Sequence, residues 1–206
     1  MQGKFIVFEG SDGSGKTTIL KNVKKYLDDN NIDYLLTREP GGTKISEKIR
    51  DLVLSNENKE MGDRTEALLY AASRAQHVKE IIKPNLEKGR LVISDRFVMS
   101  SLAYQGYGRQ LGADQVKMIN DFAIDSTKPD YTIFFNVDPI TVLERKRANV
   151  EADRLENEEE SYHQRVYNGY QDLLDDESLN LIVIDASKSI EEVTKATIEK
   201  LIEIID

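Results

Sequence analysis

The chain has 206 residues, with 28 basic and 37 acidic side chains and a formal charge of −9, a balance that argues against general nucleic-acid or anionic-membrane binding. Hydrophobic residues make up 39% and charged residues 32%, enough apolar material to bury a core and excluding disorder. Zero cysteines rule out disulfides, thiolate metal sites and a cysteine nucleophile, and only His77 and His163 are present, which argues against a multi-histidine metal site.

Phe5–Phe8 opens the chain as a short apolar strand, and Thr17–Leu27 follows as a helix with Leu20, Val23 and Leu27 on one face. Asp33–Thr37 reads as a weaker strand. Asp63–Glu87 reads as a long helix, opened by a capping-box pattern (DRTE) and closed at Lys88-Gly89, with Pro84 in its last turn or kinking it. Its Leu68, Leu69, Ala72 and Ala75 suit either the core or a dimer contact. Strands follow at Leu91–Ile93, Thr132–Val137 and Leu181–Ile184, with helices over Arg154–Asp176 and Ile190–Ile205. The strands are nearly continuous apolar runs, as strands buried on both faces require. Alternating strand and helix predicts a three-layer α/β fold, a five-stranded parallel sheet with helices on both faces, in a single domain spanning 1–206. The N-terminus lacks a signal-peptide core and no apolar run reaches the ~20 residues of a membrane helix, so a cytoplasmic location is expected.

The charge is uneven. Residues 1–150 hold 23 basic and 21 acidic side chains, whereas residues 151–206 hold 5 and 16. The acidic C-terminal part reads as a solvated helical surface.

Gly10-Ser11-Asp12-Gly13-Ser14-Gly15-Lys16-Thr17 matches the phosphate-loop pattern GxxxxGK[ST] in full, and Thr18 follows it. It lies between a strand and a helix, the context the motif requires. Glycines let successive backbone N–H groups curl around phosphate oxygens, and the helix N-terminus favours an anion. Lys16 is then expected on the β- and γ-phosphates of a nucleoside triphosphate, with Thr17 on Mg²⁺. Leu91–Asp95 (LVISD) is a strand ending in a carboxylate, placing Asp95 near that ion, directly or through water. Thr127-Lys128-Pro129-Asp130 has the letters of a guanine-reading motif but precedes a strand instead of following one, so it reads as a turn.

A phosphotransferase with an anionic acceptor needs further cations at the strand ends. Arg38 opens REPGG after the second strand, Arg96 follows Asp95 after the third, and Arg50 lies on the helix after REPGG. In doubly wound sheets ligands lie outside the carboxyl ends of strands, and a guanidinium grips phosphate with two donors.

These segments resemble thymidylate kinase of the bacterial type, a member of the P-loop nucleoside monophosphate kinases, along nearly the whole chain. FEGSDGSGKTT resembles its phosphate loop, TREPGG (Thr37–Gly42) its acceptor-phosphate loop, and YAASRAQH (Tyr70–His77) its base-reading helix. SDRFVMSSLAYQG (Ser94–Gly106), ADRLE (Ala152–Glu156) and DASKSIEEV (Asp185–Val193) resemble its nucleoside pocket, the end of its lid and its adenine-side loop. The resemblance implies ATP + dTMP → ADP + dTDP with Mg²⁺, a homodimer, and a lid around 146–153. It implies that Arg38, Arg50 and Arg96 hold the dTMP phosphate, Arg74 the thymine edge, and Gln105 assists from the opposite segment with Ser100 or Ser101 nearby. Tyr104 would lie under the deoxyribose, Asp12 would contact its 3′-hydroxyl, and Tyr70, where the family usually has Phe, would stack on thymine. Asn149 stands where members often carry a lid arginine, and Gly13 where another subclass carries one in the phosphate loop. Arg145, Arg147 and Arg154 are therefore the candidate lid cations for the transition state.

Overall fold

The computed structural model describes residues 3–138 and 153–205. Five parallel strands, β1 (Phe5–Glu9), β2 (Tyr34–Arg38), β3 (Leu91–Asp95), β4 (Tyr131–Asn136) and β5 (Leu181–Asp185), form one sheet in the order β2-β3-β1-β4-β5. β1, at the centre, is buried along its whole length, as its FIVFE sequence demands. The edge strands β2 and β5 are only partly buried, and each carries a polar residue or two to match. The register sets Phe8 and Arg38 on either side of Asp95, so the ends of β1, β2 and β3 meet at one edge.

Helix α1 (Lys16–Asp29) buries Ile19, Leu20, Val23 and Leu27 against Ile6, Phe8, Ile133 and Phe135. The C-terminal helix, α8 (Ile190–Ile205), adds Val193, Leu201 and Ile204 to the same face and starts with a reciprocal Ser189–Glu192 capping box. The other face of the sheet carries Phe5, Val7 and Val92, packed on Val78, Ile82, Leu86, Phe97 and Ile124. Truncating one of the large buried side chains, such as Phe135→Ala, is expected to cost about 3–5 kcal/mol.

Two further helices, α2 (Lys44–Leu54) and α3 (Asp63–His77), pack side by side. α3 continues through a π-helical turn, Val78–Ile82, into the short α4 (Lys83–Glu87). Pro84 falls in the first turn of α4 and can donate no backbone hydrogen bond, and the wider π turn carries the helix up to it. The helix ends as expected, with Gly89 left-handed at φ 77°. Its start differs: the N-cap is Gly62, which has no side chain to cap with, and the Glu66 side chain binds Gln105, Arg109 and Arg154. After β3, α5 (Val98–Ser101) runs into a second π segment, Leu102–Gly108, and then α6 (Ala113–Ile124). Helix α7 (Glu160–Asp172) lies on that π segment through two glycines: a Cβ at Gly108 would come within 2.7 Å of Tyr162, and one at Gly169 within 2.6 Å of Tyr107. The turn falls just before the expected one, at Asp125–Ser126, and 127–130 is irregular chain that bends at Asp130, whose Oδ2 accepts the Phe5 N–H at 2.7 Å, tying β4 to the start of β1.

Candidate active site

The phosphate loop leaves β1 at Gly10 and enters α1 at Lys16, turning through left-handed backbone at Gly13 (φ 87°) and Gly15 (φ 86°). Within it only Ser14 N–H closes onto Ser11 O, at 3.1 Å. The N–H groups of Gly13, Gly15, Lys16 and Thr17 meet no protein acceptor among the described residues, so the loop offers a row of donors. Lys16 is buried, with Nζ 3.4 Å from Asp95 Oδ1 at the end of β3. Burial, and then the nearby Arg96, lower its pKa, while Asp95, Asp12 and Glu9 pull it back up. Thr17 is exposed beside it, and the loop of Lys188 and Ser189 after β5 closes the far side of the same pocket.

Arg96 joins this loop to a second pocket. Its backbone is left-handed, φ 70°, a conformation that costs a non-glycine residue about 1–2 kcal/mol and is kept where the surroundings hold it. Nη1 donates to Gly10 O at 3.0 Å, Ser100 Oγ at 2.9 Å and Tyr170 Oη at 3.3 Å, and Nη2 donates to Asp12. The guanidinium lies over the Tyr104 ring, 5.3 Å from its centroid. Tyr104 donates its hydroxyl to Asp12 Oδ2 at 2.7 Å, and burial followed by the Asp12 charge holds that phenol in its protonated form. Beneath Arg96 lies Glu9, fully buried. It accepts from Phe97 N–H (2.8 Å), Ser100 N–H (3.0 Å) and Ser100 O–H (2.6 Å). Burial raises the Glu9 pKa against the opposing pull of Arg96.

The second pocket is lined by Asp12, Arg50, Tyr70, Arg74, Arg96, Ser100, Ser101, Tyr104 and Gln105. Arg74 is 2% exposed and fixed on every side: Nε donates to Glu39 at 2.7 Å, Nη2 to Phe97 O at 2.9 Å, and Nη1 to Ser101 Oγ at 2.9 Å and to Asn120. Glu39 also meets His77 Nδ1 at 2.9 Å, and His77 Nε2 meets the Thr37 hydroxyl at 2.7 Å. Gln105 donates Nε2 to Glu66 at 2.9 Å. Arg50 donates to Pro40 O at 3.0 Å, while Arg38 lies on the exposed rim between Pro40 O (2.8 Å) and Glu47 (2.9 Å).

The family model described as Thymidylate kinase matches residues 8–197. The chain belongs to the thymidylate kinase family. A thymidylate kinase of Finegoldia magna is 57% identical over 197 residues, 96% of this chain and 97% of its own length. One from a Geobacillus strain is 48% identical over 208 residues, with 100% and 99% covered. The crystal structure of thymidylate kinase from Ehrlichia chaffeensis superposes with a TM-score of 0.78 at 32% identity, covering 98% of this chain and 99% of that one.

On this thymidylate kinase frame, two expectations change. Arg154, taken from sequence as a lid cation, is instead buried beneath α3. Its Nε donates to Val53 O at 2.9 Å and its Nη2 to Glu66 at 2.6 Å, and it lines neither pocket. The reason is electrostatic: Glu66 is 0% exposed and needs charged partners, which Arg154 and Arg109 supply. Arg145, Arg147, Asn149 and, of the lid expected around 146–153, residues 146–152 lie outside the described residues. The second change is the set of residues that pattern reading missed: Glu9, Glu39, Glu66, Asn120 and Tyr170. Glu9 and Glu39 carry a sequence signal, since each ends or follows a strand beside a glycine turn. Glu66, Asn120 and Tyr170 sit in ordinary helical patterns and carry none.

Proposed function

We propose that this chain transfers the γ-phosphoryl group of ATP to the phosphate of dTMP, giving ADP and dTDP, as a single catalytic unit over 1–206 with a lid around 146–153. The observation that carries the reading is the Asp12–Arg96–Tyr104 cluster, which belongs at once to the phosphate loop and to the acceptor pocket. ATP fits the donor row of Gly13–Thr17 with Lys16 at its end, its base toward Lys188 and Ser189. The dTMP phosphate fits between Arg50 and Arg96, with Arg38 at the rim, its sugar over Tyr104 and its base between Tyr70 and Arg74.

A phosphate monoester has its second pKa near ~6 and is already a nucleophile at neutral pH, so the site needs no general base. Its work is positioning and charge neutralisation. Lys16 and Arg96 are the cations placed to neutralise the transferred group, and Arg145 and Arg147, outside the described residues, are the lid candidates left once Arg154 is tied to Glu66. The oxygen donors Thr17 and Asp95 suit Mg²⁺: among the described residues Asp95 Oδ1 is buried and has no hydrogen-bond partner, with the Lys16 ammonium 3.4 Å away. Among the described residues no group of three or more His, Cys, Asp or Glu side chains is placed to hold a metal ion. When bound, Mg²⁺ would offset charge on the β- and γ-phosphates.

Helices α2, α3 and α6 are neighbours and expose Leu52, Leu68, Met118 and Phe122, the last at 88%. A homodimer through this face accounts for them. Of the α3 residues with a double reading, Leu68 and Ala72 face outward and the buried face is led by Ala67, Tyr70 and Ala71. Among the described residues no helix is long and apolar enough to cross a membrane.

The test is an acceptor panel with ATP: dTMP, dUMP, dCMP, dGMP and thymidine. Turnover led by dTMP supports the reading. Turnover of thymidine without dTMP, or nucleotide binding with no acceptor-dependent ADP release, refutes it.

A further inference from the structure

Glu66 is a fully buried carboxylate on α3 that touches none of the phosphate-binding groups. Three residues from two segments converge on it: from the π segment and its end, Gln105 Nε2 at 2.9 Å to Oε1 and Arg109 Nη2 at 3.0 Å to Oε2, and from before α7, Arg154 Nη2 at 2.6 Å to Oε2. With two guanidinium groups facing it, Glu66 serves as a carboxylate and can only accept hydrogen bonds. That decides the orientation of the Gln105 amide: its NH₂ must point to Glu66. Gln105 is 1% exposed and lines the acceptor pocket, so with its NH₂ held by Glu66 the acceptor it offers a ligand is the carbonyl Oε1. Arg74 gives four of its five N–H groups to Glu39, Ser101, Asn120 and Phe97 O, so the donor it has left is the second N–H of Nη2. The pocket therefore sets one acceptor beside one donor.

We propose that Glu66 is a positioning residue that locks the Gln105 carbonyl toward the acceptor base, so that the pocket demands an N–H at ring position 3 and rejects cytosine. The inference rests on the dTMP reading above. Thymine and uracil present the position-3 N–H next to the O4 carbonyl, which pairs with the acceptor of Gln105 and the donor of Arg74. Cytosine presents a bare ring nitrogen beside an amino group, and both contacts become mismatched. A site whose buried polar groups are left unpaired discriminates strongly.

In Glu66→Gln the partner at position 66 can donate as well as accept, and the Gln105 amide gains its second orientation. The experiment measures kcat/KM for dTMP, dUMP and dCMP in the parent enzyme, Glu66→Gln and Gln105→Leu, with thermal melting and binding of a non-hydrolysable ATP analogue on each. The dTMP-to-dCMP ratio is expected to fall at least about tenfold in Glu66→Gln, while dTMP to dUMP stays within about twofold because the two bases share that edge. Gln105→Leu keeps the Glu66 ion pairs with Arg109 and Arg154 and should lower the same ratio. A folded Glu66→Gln enzyme that loses all three activities in equal proportion, or keeps the parent ratio, overturns the proposal. Should Glu66→Gln fail to fold, an unchanged ratio in Gln105→Leu overturns it. A parent enzyme inactive on dTMP refutes the proposed function instead, and shows it before any variant is compared.

Discussion

Replacing Arg96 by Lys keeps one positive charge at the junction of the two pockets and removes its geometry. The left-handed backbone at φ 70° is equally strained for either residue, so the backbone contribution cancels. A guanidinium reaches Gly10 O and Ser100 Oγ with one nitrogen and Asp12 with the other, whereas an ammonium is a single point of contact. Losing one charge-assisted bond to Asp12 costs about 1.5–3 kcal/mol, and losing the planar stack on Tyr104 costs about 1–2 kcal/mol more. Together these predict a fall in kcat/KM for dTMP of roughly two to four orders of magnitude. A coupled assay of ADP release, run at saturating ATP with dTMP varied, measures it. Binding of a non-hydrolysable ATP analogue should change far less, because Arg96 reaches the phosphate loop only through Gly10 and Asp12. An Arg96→Lys enzyme that melts like its parent and retains activity within a factor of about ten contradicts the assignment.

Gly42→Ala forces a Cβ to within 2.7 Å of the His77 ring and 2.8 Å of the Thr37 hydroxyl, at φ 86°. A loss of about 2–3 kcal/mol is expected, visible as a melting temperature lowered by roughly 4–12 °C together with a raised KM for dTMP; an unshifted melt contradicts the packing described. The Glu9 carboxyl is raised above its ordinary 4.5 by burial, so its folded value exceeds its unfolded one. Its contribution to stability is complete below pH 4.5 and is lost as the pH climbs through the folded value. Urea unfolding across this range should therefore show the stability of the parent, relative to Glu9→Gln, falling as the pH rises; a flat or rising difference opposes it. Phe122→Asp should convert a dimer to a monomer in light scattering, and a parent that is already monomeric defeats the dimer reading. Arg154→Ala leaves Glu66 with one counterion fewer and should cost stability of about 3–5 kcal/mol, whereas Arg147→Ala should cost turnover without lowering the melt. The reverse pattern would return Arg154 to the chemistry.

The sheet was legible because buried parallel strands write themselves as apolar runs: all five lie where FIVF, DYLLT, LVI, TIFFNV and LIVI put them, within a residue or two. The phosphate loop was legible because few arrangements of glycine before a helix also end in Lys-Thr. Helix α6 was not singled out, since its buried Val116, Asn120, Ala123 and Ile124 mix a polar residue into a short apolar stripe. The DRTE start of α3 misled for a physical reason. A capping box fits the letters, but Glu66 gains more from Gln105, Arg109 and Arg154, which lie 39 to 88 residues away, than from the backbone next to it. Local pattern cannot reveal a partner that only the fold brings near. The same limit hid the fate of Arg154, whose neighbour in sequence is the lid and whose neighbour in space is α3.

Glu9, Glu39 and Glu66 are three carboxylates under one pocket, at 0%, 5% and 0% exposure, and each anchors a group that faces it: Ser100 and the loop of Arg96, then Arg74, then Gln105. Burying a carboxylate is unfavourable unless its hydrogen bonds and charge partners are all supplied. Each of the three therefore dictates the position of its donors more strictly than a solvated one would, and those donors cannot relax when the pocket is empty. Preorganisation of this kind is what a positioning catalyst needs. It also explains why the −9 of the whole chain does not repel two anionic substrates. The acidic excess lies in residues 151–206, largely on exposed side chains, and salt screens such charges beyond about 8 Å. Inside the pocket the carboxylates are each matched by a cation or a set of N–H and O–H donors. Lys16, Arg50 and Arg96 line the two pockets, and they are the cations that the proposed reading sets against a substrate phosphate.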